Sequence, residues 1–166
     1  SVAGPSIPSV KLPSFVKSLL VNCLLHEDKN NTKIIDNIKK SHPLYPEATD
    51  GRGVAYERIG EWNKAERDLL ASLKANPKQA YVINYLAYSW LERDHKIDLS
   101  LQMLEKAYSI KNNDPYIIDS IGWAYYLVND HTKAENFLRR AVELMPEDPI
   151  VNEETPAEPV MTKVEN

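Results

Sequence analysis

The whole chain of 166 residues holds a single cysteine, Cys23. That scarcity excludes an internal disulfide and any metal site assembled from several thiolates. Cys23 stands within an apolar helical run, which favours a buried, inert thiol over a nucleophile. Glycine is also sparse, with five residues dispersed along the chain, so there is no glycine-rich loop to cradle a phosphate. No apolar run approaches the roughly 18 residues of a membrane span. The most apolar stretch, residues 15–25, is interrupted by Lys17, Ser18 and Asn22 and reads as a packed helix, so direct membrane insertion is not expected. Ser1-Val2-Ala3-Gly4-Pro5 lacks the basic stretch and apolar run of an intact signal peptide, which leaves cytoplasm and periplasm both open.

An excess of positive charge is missing too. The formal charge of −4 argues against a nucleic-acid partner held through its phosphates. Residues 147–166 hold six acids and one lysine, so the acidity belongs mainly to the tail. Chemistry-bearing clusters are equally scarce. His26, His42 and His95 are isolated, and His131 with Glu135 is too small a set to bind a metal. Asp28-x-Asn30-x-Thr32 opens like a calcium loop, but Lys33 and Lys39 stand where that loop needs Gly and Glu. No nucleophile lies at a useful spacing from a base. The expectation is therefore a non-enzyme with no catalytic residues, no metal and no cofactor.

What the chain does contain is a repeat. Gly53, Tyr56, Gly60, Ala65, Leu69, Ser72 and Pro77 recur with identical spacing as Gly122, Tyr125, Asn129, Ala134, Leu138, Ala141 and Pro146, 69 residues on. Between them lies a third copy: Ala87, Trp90 and Asp94, then Ser100, Leu104 and Ala107, in register once one residue is added near His95. The spacing has a physical logic. Small residues (Gly53, Ala87, Gly122; Ala65, Ser100, Ala134) suit close contact between two antiparallel helices. Large ones (Tyr56, Trp90, Tyr125; Leu69, Leu104, Leu138) fill the gaps between hairpins. Gly60, Asp94 and Asn129 fall where the first helix ends and a left-handed backbone is least costly. Asp114-Pro115 and Asp148-Pro149 each place an N-cap before a proline suited to the first helical position.

With these residues the sequence resembles the tetratricopeptide repeat (TPR) family, whose period is 34 residues and whose pattern is W-x2-L-G-x2-Y…A-x3-F…P. The similarity covers about residues 46–148 and looks closest to bacterial, alphaproteobacterial members, on lines such as Asn84-Tyr85-Leu86-Ala87-Tyr88 and Ile121-Gly122-Trp123-Ala124-Tyr125. The resemblance implies an all-α, right-handed superhelical stack of antiparallel helix pairs, used as an interaction scaffold or adaptor. The expected organisation is an extended segment at 1–11, a helical hairpin at 12–45, repeats at 46–79, 80–114 and 115–148, and an acidic, proline-containing tail at 149–166. Within 12–45, helical runs are expected at 14–25 and 32–40, with Phe15, Ile35 and Ile38 at packing positions. A degenerate capping repeat is favoured there over an unrelated hairpin, although Leu19 occupies a small-residue position.

In such a stack the first helix of each pair lines a concave surface. Helical geometry assigns to it Asp50, Val54, Glu57 and Arg58 from the first copy. The partner-binding positions expected from the other two are Tyr81, Asn84, Tyr88 and Leu91, and Tyr116, Asp119, Trp123 and Tyr126. Tyr81, Tyr88, Trp123 and Tyr126 would form an outward aromatic wall, with Asn84 and Asp119 bonding a partner's backbone or basic groups. The competing view is that Tyr88 and Trp123 simply cover neighbouring helices. One binding mode of the family grips chaperone C-terminal carboxylates with Lys, Asn and Arg on the first helices. Of the matching positions here only Asn84 is of suitable type, and Asp50 and Asp119 would repel an acid. The expected partner is a neutral or basic peptide or protein. The alternative is a self-assembling module that forms a homo-oligomer through its terminal repeat near Ile150 and Val151.

Overall fold

The computed structural model describes residues 29–145, in which every regular element is a helix. These are α1 (Lys29–Asn37), α2 (Tyr45–Arg58), α3 (Trp62–Ala75), α4 (Ala80–Leu91), α5 (Ile97–Ile110), α6 (Pro115–Leu127) and α7 (His131–Leu144). Residues 1–28 and 146–166 lie outside the described part. With them go the expected run at 14–25, Cys23, Asp148-Pro149 and the acidic tail. The expected run at 32–40 is helical from Lys29 but stops at Asn37. Pro43 restricts His42 away from helical geometry, and residues 40–44 form turns. Ile35 is buried at 2% exposure, while Ile38 is half-buried.

Helices α2/α3, α4/α5 and α6/α7 pack as three successive antiparallel hairpins. The two helices of a pair differ in kind. Second helices bury only a narrow stripe, in the same register each time: Ala65, Leu69 and Ser72; Ser100, Leu104 and Ala107; Ala134, Leu138 and Ala141. First helices α4 and α6 are buried over most of their surface, and α4 continuously from Ile83 to Leu91. A helix apolar nearly all round belongs inside, and one with a single stripe belongs outside. The first helices therefore form the inner layer of the stack.

The small residues act where the repeat places them. A methyl added at Gly122 would lie 2.8 Å from Leu138 Cγ and 3.2 Å from the Leu138 backbone nitrogen. At Gly53 it would lie 2.9 Å from Leu69 Cγ and 3.2 Å from the Ala65 carbonyl oxygen. The turns also repeat. Gly60, Asp94 and Asn129 have φ of 82°, 49° and 63°. Just beyond each, the next N–H reaches back to a first-helix carbonyl: Glu61 to Tyr56, His95 to Trp90 and Asp130 to Tyr125, at 2.8–3.0 Å. These bonds satisfy carbonyls that the helix end would leave open. The additional residue of the middle copy appears as a second left-handed residue, Lys96 (φ 51°). Asp114 caps α6 by accepting from Ile117 N at 3.2 Å, and Asp130 caps α7 from Lys133 N in the same way.

One position breaks the pattern. Where the second and third copies carry buried Leu86 and Ile121, the first carries Arg52, itself buried. Its guanidinium donates to both oxygens of buried Asp68 on α3, at 2.5 and 3.2 Å. It also donates to Asp36 Oδ1 at 2.7 Å and to the Thr32 carbonyl at 3.2 Å, both on α1. A planar fork with five donors can serve three helices at once.

Two outcomes follow for stability, each read from thermal or urea unfolding. Gly122→Ala gains about 1 kcal/mol of helix propensity but forces Leu138 aside at about 1–3 kcal/mol, so a net loss is expected. Asp68→Ala strands a buried guanidinium and should cost about 3–5 kcal/mol, whereas Arg52→Leu combined with Asp68→Leu should restore most of it.

Candidate functional site: the inner face of the first helices

The positions expected to form the binding face sit in three rows across the hairpins, because successive copies stack in register. The first row is Tyr81 and Tyr116, and the second is Asp50, Asn84 and Asp119. The third runs Val54, Tyr88 and Trp123, with Glu57, Leu91 and Tyr126 just beyond.

Only part of this face is accessible. Tyr126 is 43% exposed, Trp123, Tyr81 and Tyr116 are half-buried, and Asn84, Tyr88, Leu91 and Asp119 are buried. The expected outward wall of Tyr81, Tyr88, Trp123 and Tyr126 is therefore corrected for Tyr88, which is buried. So is Leu91, whose side chain packs with Ile121, Ala124 and Tyr125 of α6. The physical reason is position. Leu91 is covered because α6 packs beside α4, a contact that helical geometry alone does not reveal.

The accessible aromatics cluster on α6. Trp123 and Tyr126 stack with ring centroids 5.3 Å apart and planes 16° apart, and His131 meets Tyr126 edge-on at 5.5 Å. Tyr81 is held elsewhere: its hydroxyl donates to Asp114 at 2.8 Å and accepts from Lys111 at 3.0 Å, while the Lys111 ammonium also lies 4.3 Å from its ring centroid. Glu57 is engaged as well, accepting from the Tyr85 hydroxyl and from Arg93, both at 2.9 Å. Tyr85 and Arg93 carry no motif that marks them, and a periodicity argument passes over both.

The polar row has unusual electrostatics. Burial is the main cause that pushes the Asp50 carboxyl up to about 7, and repulsion from Glu47 adds to it. Hydrogen bonds from Ser72 Oγ (3.5 Å) and the Gly51 amide offset this only in part. Ser72 in turn accepts from Gln79 Nε2 at 2.9 Å, in the link between the first and second hairpins. Asn84 Oδ1 is buried without a hydrogen-bond partner among the described residues. Also among these residues, no three His, Cys, Asp or Glu side chains converge as metal ligands, and no helix is long and apolar enough to cross a membrane.

No family model matches the chain. Two curated bacterial proteins are similar in sequence. One is a TPR repeat-containing protein of Pseudomonas aeruginosa, 26% identical over 126 residues that make up 74% of this chain and 21% of that protein. The other is a lipoprotein NlpI homolog of Haemophilus influenzae, 33% identical over 90 residues, 53% of this chain and 28% of that one. The chain thus spans between about a fifth and somewhat over a quarter of the length of these relatives. Among solved structures, MamA from Desulfovibrio magneticus superposes with a TM-score of 0.69 at 18% identity, covering 85% of this chain and 80% of that one. The first TPR domain of Spaghetti (RPAP3), bound to the HSP90 peptide SRMEEVD, gives 0.61 at 15% identity, covering 66% and 86%. The fold is a tetratricopeptide-repeat solenoid. In sequence the chain resembles bacterial TPR proteins, and a TPR stack of this kind serves in general as a protein-interaction scaffold.

The raised Asp50 carboxyl makes stability of this TPR stack depend on pH. Its ordinary value is 3.8 and its folded value about 7, so folding favours the protonated form. The advantage is complete in acid below the ordinary value and disappears as pH rises through about 7, where the buried charge must be tolerated. Asp50→Asn should therefore raise the melting temperature at pH 8 and leave it nearly unchanged near pH 4, as paired thermal scans would show.

Proposed function

We propose that this TPR stack is a non-catalytic adaptor that holds a peptide or protein segment along the inner face of its first helices. The observation that carries this reading is the stacked Trp123–Tyr126 pair on α6, with Tyr126, at 43%, the most exposed aromatic of the inner face among the described residues. Aromatic rings give large contact area at little entropic cost, and such pairs anchor many interfaces. The RPAP3 neighbour holds a peptide on a domain of the same fold, which supports a peptide as ligand class here. Its ligand sequence is acidic at the C-terminal end, whereas the polar row of this face offers Asp50, Asn84 and Asp119 and no lysine or arginine. A neutral or basic segment suits that row better.

The decisive comparison is a pull-down from native extract, with captured proteins identified by mass spectrometry, using wild type and Trp123→Ala plus Tyr126→Ala. Loss of an anchor pair should weaken a true inner-face partner by about thirty-fold or more, with helicity unchanged by circular dichroism. Partners retained equally by both proteins would move the binding surface elsewhere. A concentration-dependent increase in mass by light scattering, abolished by neither change, would instead favour self-assembly.

A further inference from the structure

Two neighbouring positions of the polar row are each short of the same thing. Asp50, half-buried, carries a carboxyl raised to about 7, and among the described residues no lysine or arginine is paired with it. Asn84, one repeat further on in the same register, is 5% exposed, and its Oδ1 has no donor. A buried acceptor without a partner costs about 1–3 kcal/mol, and a buried carboxylate without a counter-charge costs more. Both deficits are met by one kind of group: a donor-only cation. A partner's backbone N–H would satisfy Asn84 but leave Asp50 uncompensated. Asp50 is partly exposed and Asn84 is buried, so a group that reaches both from solvent must also be long and thin. Lysine and arginine alone combine a long apolar stem with a head that only donates.

We propose that the Asp50–Asn84 stretch of the inner face is a subsite for an arginine or lysine side chain of the bound segment, with Asp50 as counter-ion and Asn84 Oδ1 as acceptor. This deepens the adaptor reading and rests on it. The groups facing Asp50 are Glu47 from its own helix and, from α3, the Ser72 hydroxyl, held by Gln79. None of them supplies positive charge. Entry of a cation should therefore drive a proton off Asp50 at pH 6, where much of the carboxyl is protonated, and release almost none at pH 8.5.

The test uses three capped hexapeptides of alternating residues: leucine with arginine, leucine with its neutral isostere citrulline, and leucine with glutamate. Each is titrated calorimetrically into the full chain at pH 6 and 8.5, in buffers of differing ionisation enthalpy. The arginine peptide should bind about ten-fold tighter than the citrulline peptide, release a proton at pH 6, and shift the Asn84 side-chain amide in nitrogen–proton NMR spectra. Asp50→Asn should abolish the proton release, and Asn84→Leu should erase the preference for arginine. Should Asn84→Leu fail to fold, Asp50→Asn, an isosteric change, carries the test alone. Equal affinity for arginine and citrulline peptides, both weakened by Trp123→Ala plus Tyr126→Ala, would overturn the subsite and leave the adaptor reading standing. A preference for arginine that survives Asp50→Asn would place the cation elsewhere and overturn it too. Failure of every peptide to bind, with no movement of the Asn84 amide, would mean that internal water serves these atoms, and the subsite would fall.

Discussion

In two of the three hairpins the backbone of the first helix comes within van der Waals reach of a leucine on the second. At Gly53 and Gly122 there is no room for even a methyl group beside Leu69 and Leu138. At the equivalent place in the middle copy, Ala87 and Leu104 are both fully buried. Small residues at these positions let each pair pack closely, and α4 and α6 stack because they are apolar over most of their surface. The layering follows: narrow stripes outside, nearly continuous burial within. An accessible inner face therefore exists only where the stack leaves it uncovered, and among its aromatics that is chiefly at Trp123 and Tyr126.

The first hairpin solves the same packing problem differently. Arg52 replaces an aliphatic side chain at the centre of the pair, and its charge is tolerated because Asp68 meets it with both oxygens while Asp36 and the Thr32 carbonyl take two more of its donors. Such a pair is seldom more stabilising than a well-packed leucine. What it adds is a link: the same guanidinium also ties α1 to this hairpin through Asp36 and the Thr32 carbonyl. Helix α2 buries few large apolar groups, its covered residues being Ala48, Thr49, Arg52, Gly53 and Ala55. The ion pair thus supplies part of the specificity that shape supplies in the other two hairpins.

Much of this was legible in the residues. Small and large positions at fixed spacing announce helix pairs, and Gly60, Asp94 and Asn129 announce the turns, because few residues adopt a left-handed backbone cheaply. The Asp114 cap was equally visible beside Pro115. Face assignment was less so. Helical geometry says which way Tyr88 and Leu91 leave their helix, but not that both end up buried. That depends on tertiary packing, which no local pattern encodes. The network of Arg52 was also invisible, since its partners lie sixteen residues away in each direction and no local pattern marks them. The end of α1 at Asn37 was missed for a simpler reason: the pattern of apolar residues continues to Ile38, whose N–H turns instead to the Ile35 carbonyl.

The middle repeat is one residue longer than its neighbours, and that residue is taken up at Lys96, outside both helices. On either side the contacting positions keep their spacing, so Leu104 meets its hairpin as Leu69 and Leu138 meet theirs. The turn behaves as an expansion joint. Length is free to drift there through insertion or deletion, while within the helices a single added residue would rotate every later side chain by about 100°. A strict 34-residue period is thus the wrong ruler for this chain. What is held fixed is the phase inside each helix, and the joints between helices carry the variation.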